Sequence, residues 1–415
     1  MQQPLIPFPI KQRIDQFRRS YPPQFWLLFW GTMVSTVGMS MIWPYLVVYI
    51  SKQLSLPMAS IGGLITLNAA MSLLTSFLAG SFTDRLGRKW AMVISLSFNG
   101  LAYFAMIHAQ TLGQFGLLMA LRGAFRPLYR VGSDAMLADL VSPDQRADAY
   151  ALNRLSKNVG VAMGPALGGF LAATSYNIAF GIASITSIIF SLLIAFFAQE
   201  TFSPKTHQKS TFPESIQGYS NIFADKFFMT FIFGVIFRQI GASILWVLLA
   251  AYAKENYGLT ESLYGLIPTT NALMVVFLQV YVTRKTQKYP PVKVMTLGTF
   301  LYAAGVGSIA LGNGFWGFWV SMVIVTIGEL MVIPTDSSLT ANIAPEDMRG
   351  RYMSLLALTW GAGSLVGPLL GGILNDQFSP VSIWYGGGIA GLLGTLLLFF
   401  LSFRDKGSQT DQPRL

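Results

Sequence analysis

Between two long apolar runs the chain reads Gly80-Ser81-Phe82-Thr83-Asp84-Arg85-Leu86-Gly87-Arg88-Lys89. Each part of this stretch has a physical use. Gly87 permits a tight turn that a residue with a side chain resists, and Gly80 lets a neighbouring helix approach closely. Arg85, Arg88 and Lys89 hold a short loop on the cytoplasmic side of a bilayer. A generic basic loop accounts for the three cations but not for Asp84 set between two glycines. The flanking runs, 59–83 and 90–109, each have the length of a bilayer crossing.

Working outward, the same pattern of apolar runs and breakers predicts spans over 25–50, 59–83, 90–109, 112–138, 148–173, 178–199, 227–252, 261–283, 292–312, 315–341, 351–374 and 380–403. The composition agrees: 53% of the 415 residues are hydrophobic and 11% charged, with a mean hydropathy of +0.52. A soluble domain carries about a quarter charged residues. The runs are continuous and lack the alternation of a β-barrel. With no cysteine, disulfides, thiol chemistry and structural zinc are excluded, and with two histidines a metal site is not expected.

The net charge of +10 would suggest nucleic acid in a soluble protein, but its distribution points elsewhere. The N-terminus, the segments 84–89, 140–147, 200–226, 284–293 and 343–351, and the C-terminal tail together hold 20 lysines or arginines. The alternate segments hold Lys52 and Lys254 alone. The positive-inside rule therefore predicts twelve crossings with both termini in the cytoplasm. Residues 1 to 23 carry Lys11, Arg13, Arg18 and Arg19 without a small-residue cleavage site, so no cleavable signal peptide is expected.

Sliding the chain over itself by 203 residues reveals a repeat. Gly38, Ser40, Trp43 and Tyr49 fall on Gly241, Ser243, Trp246 and Tyr252. Gly62, Asn68 and Ala69 fall on Gly265, Asn271 and Ala272, and Arg146 falls on Arg349. Gly160, Gly164, Pro165, Gly168 and Gly169 fall on Gly363, Gly367, Pro368, Gly371 and Gly372. The expected organisation is a cytoplasmic tail over 1–24, a six-helix bundle over 25–199, a cytoplasmic linker over 200–226, a second six-helix bundle over 227–403 and a tail over 404–415. The bundles are read as parallel repeats about an axis along the membrane normal.

The stretch 80–89 resembles the signature of the major facilitator superfamily, and the resemblance extends over the whole chain. It implies an all-α membrane fold of twelve helices. It also implies a conformational latch, in which Asp84 caps the start of the eleventh span in one state and Arg88 pairs with Asp139. The second half departs from the signature, with Gln287 and Pro290 where Asp84 and Gly87 would repeat. Gly160-Val-Ala-Met-Gly164-Pro165-Ala-Leu-Gly168-Gly169 is similar to the motif of the drug/proton antiporter (multidrug efflux) branch. Its glycines open one helix face to a partner backbone while proline bends the helix. Gly363, Gly367, Pro368 and Gly371 repeat it.

Charges inside the membrane are costly and mark function. Arg122, Arg126, Arg130 and Asp134 lie four residues apart on one face of the fourth span, Arg238 lies within the seventh, and Glu329 and Asp336 share a face of the tenth. In the resembled fold these spans line a central cavity. The offset places Arg126 on Glu329, so the two are expected to pair, or to share substrate or a proton, across the axis. Arg130 and Asp134 are expected to pair along their helix. The resemblance implies a proton-coupling part for Arg122, although the surrounding residues depart from the family pattern. Arg154 and Lys157 are expected to snorkel towards the cytoplasm, and Trp43, Tyr45, Trp246 and Tyr252 to sit mostly as interfacial anchors.

Four arginines against three acids favour an anionic, zwitterionic or amphiphilic substrate. The expected activity is proton-coupled efflux of such a compound by rocker-switch alternating access in a prokaryotic cell (inner) membrane. The protein is expected to be a monomer, with protons and a small molecule as its partners in the bilayer, no cofactor and no nucleic acid. A metabolite or peptide symporter and a lipid or glycolipid flippase are the alternatives. An enzyme is not expected, and no phosphate-binding loop for ATP is present in the sequence.

Overall fold

The computed structural model describes residues 20–142, 145–202, 219–345 and 348–408. Most of the expected N-terminal tail and linker, and the end of the C-terminal tail, lie outside the described residues. The described chain is helical: α1 Pro23–Ile42, α2 Leu46–Leu54, α3 Met58–Leu86, α4 Arg88–His108, α5 Leu112–Leu140, α6 Arg146–Thr174, α7 Tyr176–Phe197, α8 Tyr219–Ala224, α9 Lys226–Tyr257, α10 Glu261–Thr286, α11 Pro291–Ser308, α12 Gly314–Ile343, α13 Arg349–Gln377 and α14 Ser382–Ser408. A tight 3-10 turn at Trp43–Tyr45 joins α1 to α2, because Pro44 has no N–H for the helical ladder.

Local chemistry sets the ends of these helices. Thr111 and Gln114 form a reciprocal capping box at the start of α5. Asp225 caps α9 by accepting from the Phe228 amide at 3.0 Å, and Thr260 caps α10 through the Leu263 amide at 3.4 Å. Gly258, at φ +64°, ends α9 in the left-handed conformation.

Among the described residues, ten helical segments are long and apolar enough to cross a membrane, with Pro23–Leu54 counted as one. The expectation from sequence was twelve. The two below that threshold are α5 and α6, whose lengths of 29 residues suffice but which carry the in-helix arginines and their neighbours.

The packing repeats itself. In the N-terminal group α1 packs on α6 and α7, α3 on α5, and α4 on α5 and α7. In the C-terminal group α9 packs on α13 and α14, α10 on α12, and α11 on α12 and α14. Contact between the groups runs mainly through α3 with α13 and α6 with α10. The junctions α2–α3, α6–α7, α9–α10 and α13–α14 share one end of the molecule, here the far side. The α3–α4 turn and the end of α7 share the other, the linker side.

Candidate functional site

The α5 stripe is divided in its surroundings. Arg122 is 3% exposed, while Arg126 and Arg130 are exposed. Arg122 donates from Nη2 to the Tyr103 hydroxyl at 2.6 Å and from Nη1 to the Met119 sulfur at 4.0 Å. Its guanidinium also lies 4.2 Å from the Tyr103 ring centroid. Among the described residues no carboxylate lies within 4.0 Å of it, and its Nε has no partner. The place is confined, because a Cβ on Gly123 would come within 2.2 Å of the Asn68 carbonyl of α3.

Asp134 pairs with Lys157 of α6 at 3.9 Å rather than with Arg130. The expectation that Arg130 takes Asp134 is therefore corrected. The Lys157 ammonium reaches the carboxylate from the neighbouring helix, whereas Arg130 is exposed.

In the C-terminal group Arg238 and Asp336 form a buried ion pair at 2.5 Å between α9 and α12, with Arg238 1% exposed. Asp336 Oδ1 and Arg238 Nε have no hydrogen-bond partner. Glu329 accepts from Asn271 Nδ2 at 2.7 Å, and the same amide donates to Thr326 Oγ1 at 2.9 Å. The direct pairing of Arg126 with Glu329 is absent: no ion pair within 4.0 Å joins either to a charged residue among the described residues. The reason is local, since α10 packs on α12 and brings Asn271 to the carboxylate first. The sequence marks Asn271 only as a repeat position and does not mark Tyr103. Asn271 stands as the offset mate of Asn68, and a matched pair of amides inside apolar spans was the available signal.

On the linker side, Gly87 has φ +85° and joins α3 to α4. Arg88 is ion-paired with Asp139 and donates to the Ala135 carbonyl at 3.5 Å. Asp84 is exposed and forms no hydrogen bond or ion pair among the described residues, so in this conformation it does not cap α13. A Cβ built on Gly80 meets nothing within 4 Å. The expected close approach at Gly80 is absent here. Glu200, unmarked in the sequence, accepts from the Arg88 amide at 3.0 Å and the Lys89 amide at 3.1 Å and so caps α4.

The far side is closed by two matched crossings. A Cβ on Gly62 would fall 2.3 Å from the Pro368 carbonyl oxygen, and one on Gly265 would fall 2.7 Å from that of Pro165. Both members of each pair obey the 203-residue offset. Gly169 meets the Glu261 carbonyl and Gly372 meets the Met58 carbonyl, again as offset mates. Gly160, Gly164 and Gly168 seat α6 on α1, at Thr36, Ser40 and Met41. Gly363, Gly367 and Gly371 seat α13 on α9, at Gln239, Ile240 and Leu248. Tyr45 is 2% exposed; its hydroxyl donates to the Pro165 carbonyl at 2.9 Å and the Glu261 carbonyl at 3.0 Å. Tyr252 is also 2% exposed, so neither tyrosine is an interfacial anchor. Asp376 accepts from the Met58 and Ala59 amides at 3.0 and 2.7 Å, and Ser51 donates to Glu255 at 2.7 Å. Glu261 is held by Lys254 and by the Tyr176 hydroxyl.

A multi-pass helical membrane protein, shut at one end and with arginines and acids within its helices, is the class these features define. A family model for the Major Facilitator Superfamily matches residues 28–238 and 231–414, so the chain belongs to that superfamily and is a membrane transporter rather than an enzyme. It is 26% identical over 413 residues to a "Na(+), Li(+), K(+)/H(+) antiporter" of Planococcus maritimus, covering 91% of this chain and 95% of the relative. It is 23% identical over 380 residues to the quinolone resistance protein NorA of Staphylococcus aureus (strain MSSA476), covering 90% and 96%. Among solved structures, the nucleoside transporter NupG superimposes with a TM-score of 0.77 at 13% identity, covering 92% of this chain and 99% of that one. A POT family transporter in complex with 5-aminolevulinic acid superimposes with 0.74 at 16%, covering 92% and 96%.

Proposed function

We propose that this chain is a proton-coupled exporter of small amphiphilic compounds that carry an anionic or zwitterionic group. The observation that carries this reading is the uncompensated charge of the α5 stripe. Asp134 is taken by Lys157 and Asp336 by Arg238. Arg122, Arg126 and Arg130 are left without a carboxylate within 4.0 Å among the described residues. A buried guanidinium without a counter-ion is costly unless a ligand supplies the anion.

Glu329 is the carboxylate best placed to exchange a proton. Neutralising Asp336 would strand the buried Arg238, whereas Glu329 accepts from the neutral Asn271 amide and has no cation within 4.0 Å among the described residues. The helices run as twelve crossings in two six-helix halves, 25–199 and 227–403, with the termini and the 200–226 linker in the cytoplasm. The 20 basic residues on the linker side against Lys52 and Lys254 opposite support that orientation. The closed far side then faces outward, and the conformation described here is open to the cytoplasm. The halves rock about the central charges, driven by the proton gradient of a prokaryotic cell membrane, with no cofactor and as a monomer.

Monovalent-cation exchange, the activity in the name of the Planococcus relative, is the second reading. The neighbouring oxygens of Glu329 and Thr326, bridged by the Asn271 amide, favour it, but it leaves the arginine stripe without a task. Proteoliposomes loaded with a pH-sensitive dye separate the two. Anionic and zwitterionic amphiphiles are expected to evoke proton flux that is lost in Arg126→Gln and in Glu329→Gln. Flux evoked by sodium, lithium or potassium alone, and retained in Arg126→Gln, would replace the first reading with the second.

A further inference from the structure

We propose that the far side of the transporter carries a separate binding site for a small oxyanion, a phosphate or carboxylate group, held between Lys52 and Lys254 at the N-terminus of α7. The site lies outside the central arginine stripe and stands whether or not the transport reading holds.

At the far-side helix ends and the segments between them, Lys52 in the last turn of α2 and Lys254 in the last turn of α9 are the only lysines or arginines. One comes from the N-terminal group and one from the C-terminal group, yet both line the same cavity of about 420 Å³. That volume falls within the range of small-molecule sites, about 300–1,000 Å³. Their ammonium groups lie 5.8 and 5.5 Å from the centroid of a single ring, that of Tyr176.

One carboxylate, Glu261, lines this cavity, and it is engaged by Lys254 and the Tyr176 hydroxyl. Lys52 is exposed and has no carboxylate within 4.0 Å among the described residues. Two cations therefore face the cavity against one anion, and like charges held beside one ring repel unless a second anion enters.

The backbone adds an independent attraction. The cavity is lined by Ser175, which precedes α7, and by Tyr176 and Asn177, its first two residues. That 22-residue helix has no side-chain cap at its N-terminus. Its free amides and the positive end of its dipole favour an oxyanion. The hydroxyls of Thr174 and Ser175 supply further donors beside them. Gln53 adds less, because its amide already donates to the Tyr49 hydroxyl at 3.2 Å.

An oxyanion bound there would touch Lys52 and the start of α7 in one group and Lys254 in the other. It would act as a staple across the closed far side, so ligand outside the membrane would stabilise this conformation. Binding to the folded protein alone raises its unfolding temperature.

The test uses the purified full-length protein in neutral detergent at constant ionic strength, with inorganic phosphate titrated against chloride. A saturable rise in unfolding temperature is expected, lost in Lys52→Gln, retained in Lys52→Arg, and retained in Arg126→Gln. Lys52 is exposed, so its replacement leaves folding intact. Nanodiscs of phosphatidylglycerol or of phosphatidylcholine, without phosphate, form a second arm. Lys52-dependent stabilisation by phosphate identifies a water-borne anion, and by phosphatidylglycerol a lipid headgroup; either supports the site. No stabilisation in both arms, or stabilisation that survives Lys52→Gln, overturns it.

Discussion

Gly62 stands against the carbonyl of Pro368 so closely that an added Cβ would lie 2.3 Å from the oxygen. The obstructing atom is backbone, which cannot swing away as a side chain can. Gly62→Ala is therefore expected to destabilise the closed far side by about 1–3 kcal/mol, the usual cost of overpacking. Because the chain has no cysteine, Thr174→Cys gives a single reporter in the far-side cavity. Maleimide should label it several-fold faster in Gly62→Ala than in the parent. Gly181→Ala, where nothing lies within 4 Å, should leave the rate unchanged.

The Arg238–Asp336 pair should behave as a buried ion pair rather than a surface one. Asp336→Asn leaves a guanidinium that is 1% exposed without its partner, at an expected cost of about 3–5 kcal/mol. The unfolding temperature in detergent should fall sharply. Replacing both, as Arg238→Met with Asp336→Leu, should recover most of the loss, because no charge is then stranded.

Glu200 holds the start of α4 through the Arg88 and Lys89 amides. Glu200→Ala should cost about 0.5–2 kcal/mol, the range for losing a cap. Faster hydrogen exchange confined to the first turn of α4 is the readout. Gly87→Ala should cost more, since φ +85° disfavours a side chain and the new Cβ would meet Glu200.

Ser51 and Glu255 bridge the two helix groups at 2.7 Å. In the cysteine-free background, Ser51→Cys with Glu255→Cys should react with a short bifunctional maleimide in the conformation described here. Cross-linked protein should be unable to open its far side, and proton-coupled flux should stop. Either single cysteine treated with the same reagent should leave the flux largely intact.

The fold was legible because its signals are local or repetitive. The stretch 80–89 carried the resemblance, the apolar runs gave the helices, and the 203-residue offset anticipated the matched crossings at Gly62 and Gly265. Side-chain partnerships were harder, because periodicity gives a helix face but not what stands opposite it. Arg126 and Glu329 share an offset and stand near the middle of their helices, yet Glu329 meets Asn271. Asp134 meets Lys157 from α6 rather than the arginine on its own helix. Tyr45 and Glu261 lie near helix ends, where aromatic and acidic residues ordinarily face headgroups or water. Only tertiary packing showed the Tyr45 hydroxyl binding carbonyls of both groups.

The two far-side crossings share a glycine and a proline carbonyl but are fastened differently. Where α3 crosses α13, the Asp376 carboxylate binds main-chain amides of Met58 and Ala59. Where α6 crosses α10, the corresponding end is held by side chains, Glu261 with Lys254 and Tyr176. The main-chain attachment has one titrating partner, the Asp376 carboxylate, while the ammonium–carboxylate–phenol cluster has three and responds more strongly to salt and protons. The far side should therefore behave like a door rather than an iris, with the Asp376 edge as its hinge and the Glu261 edge as its clasp. Duplication supplied two leaves of one shape, and the divergence of a few polar residues fastens them by different chemistry.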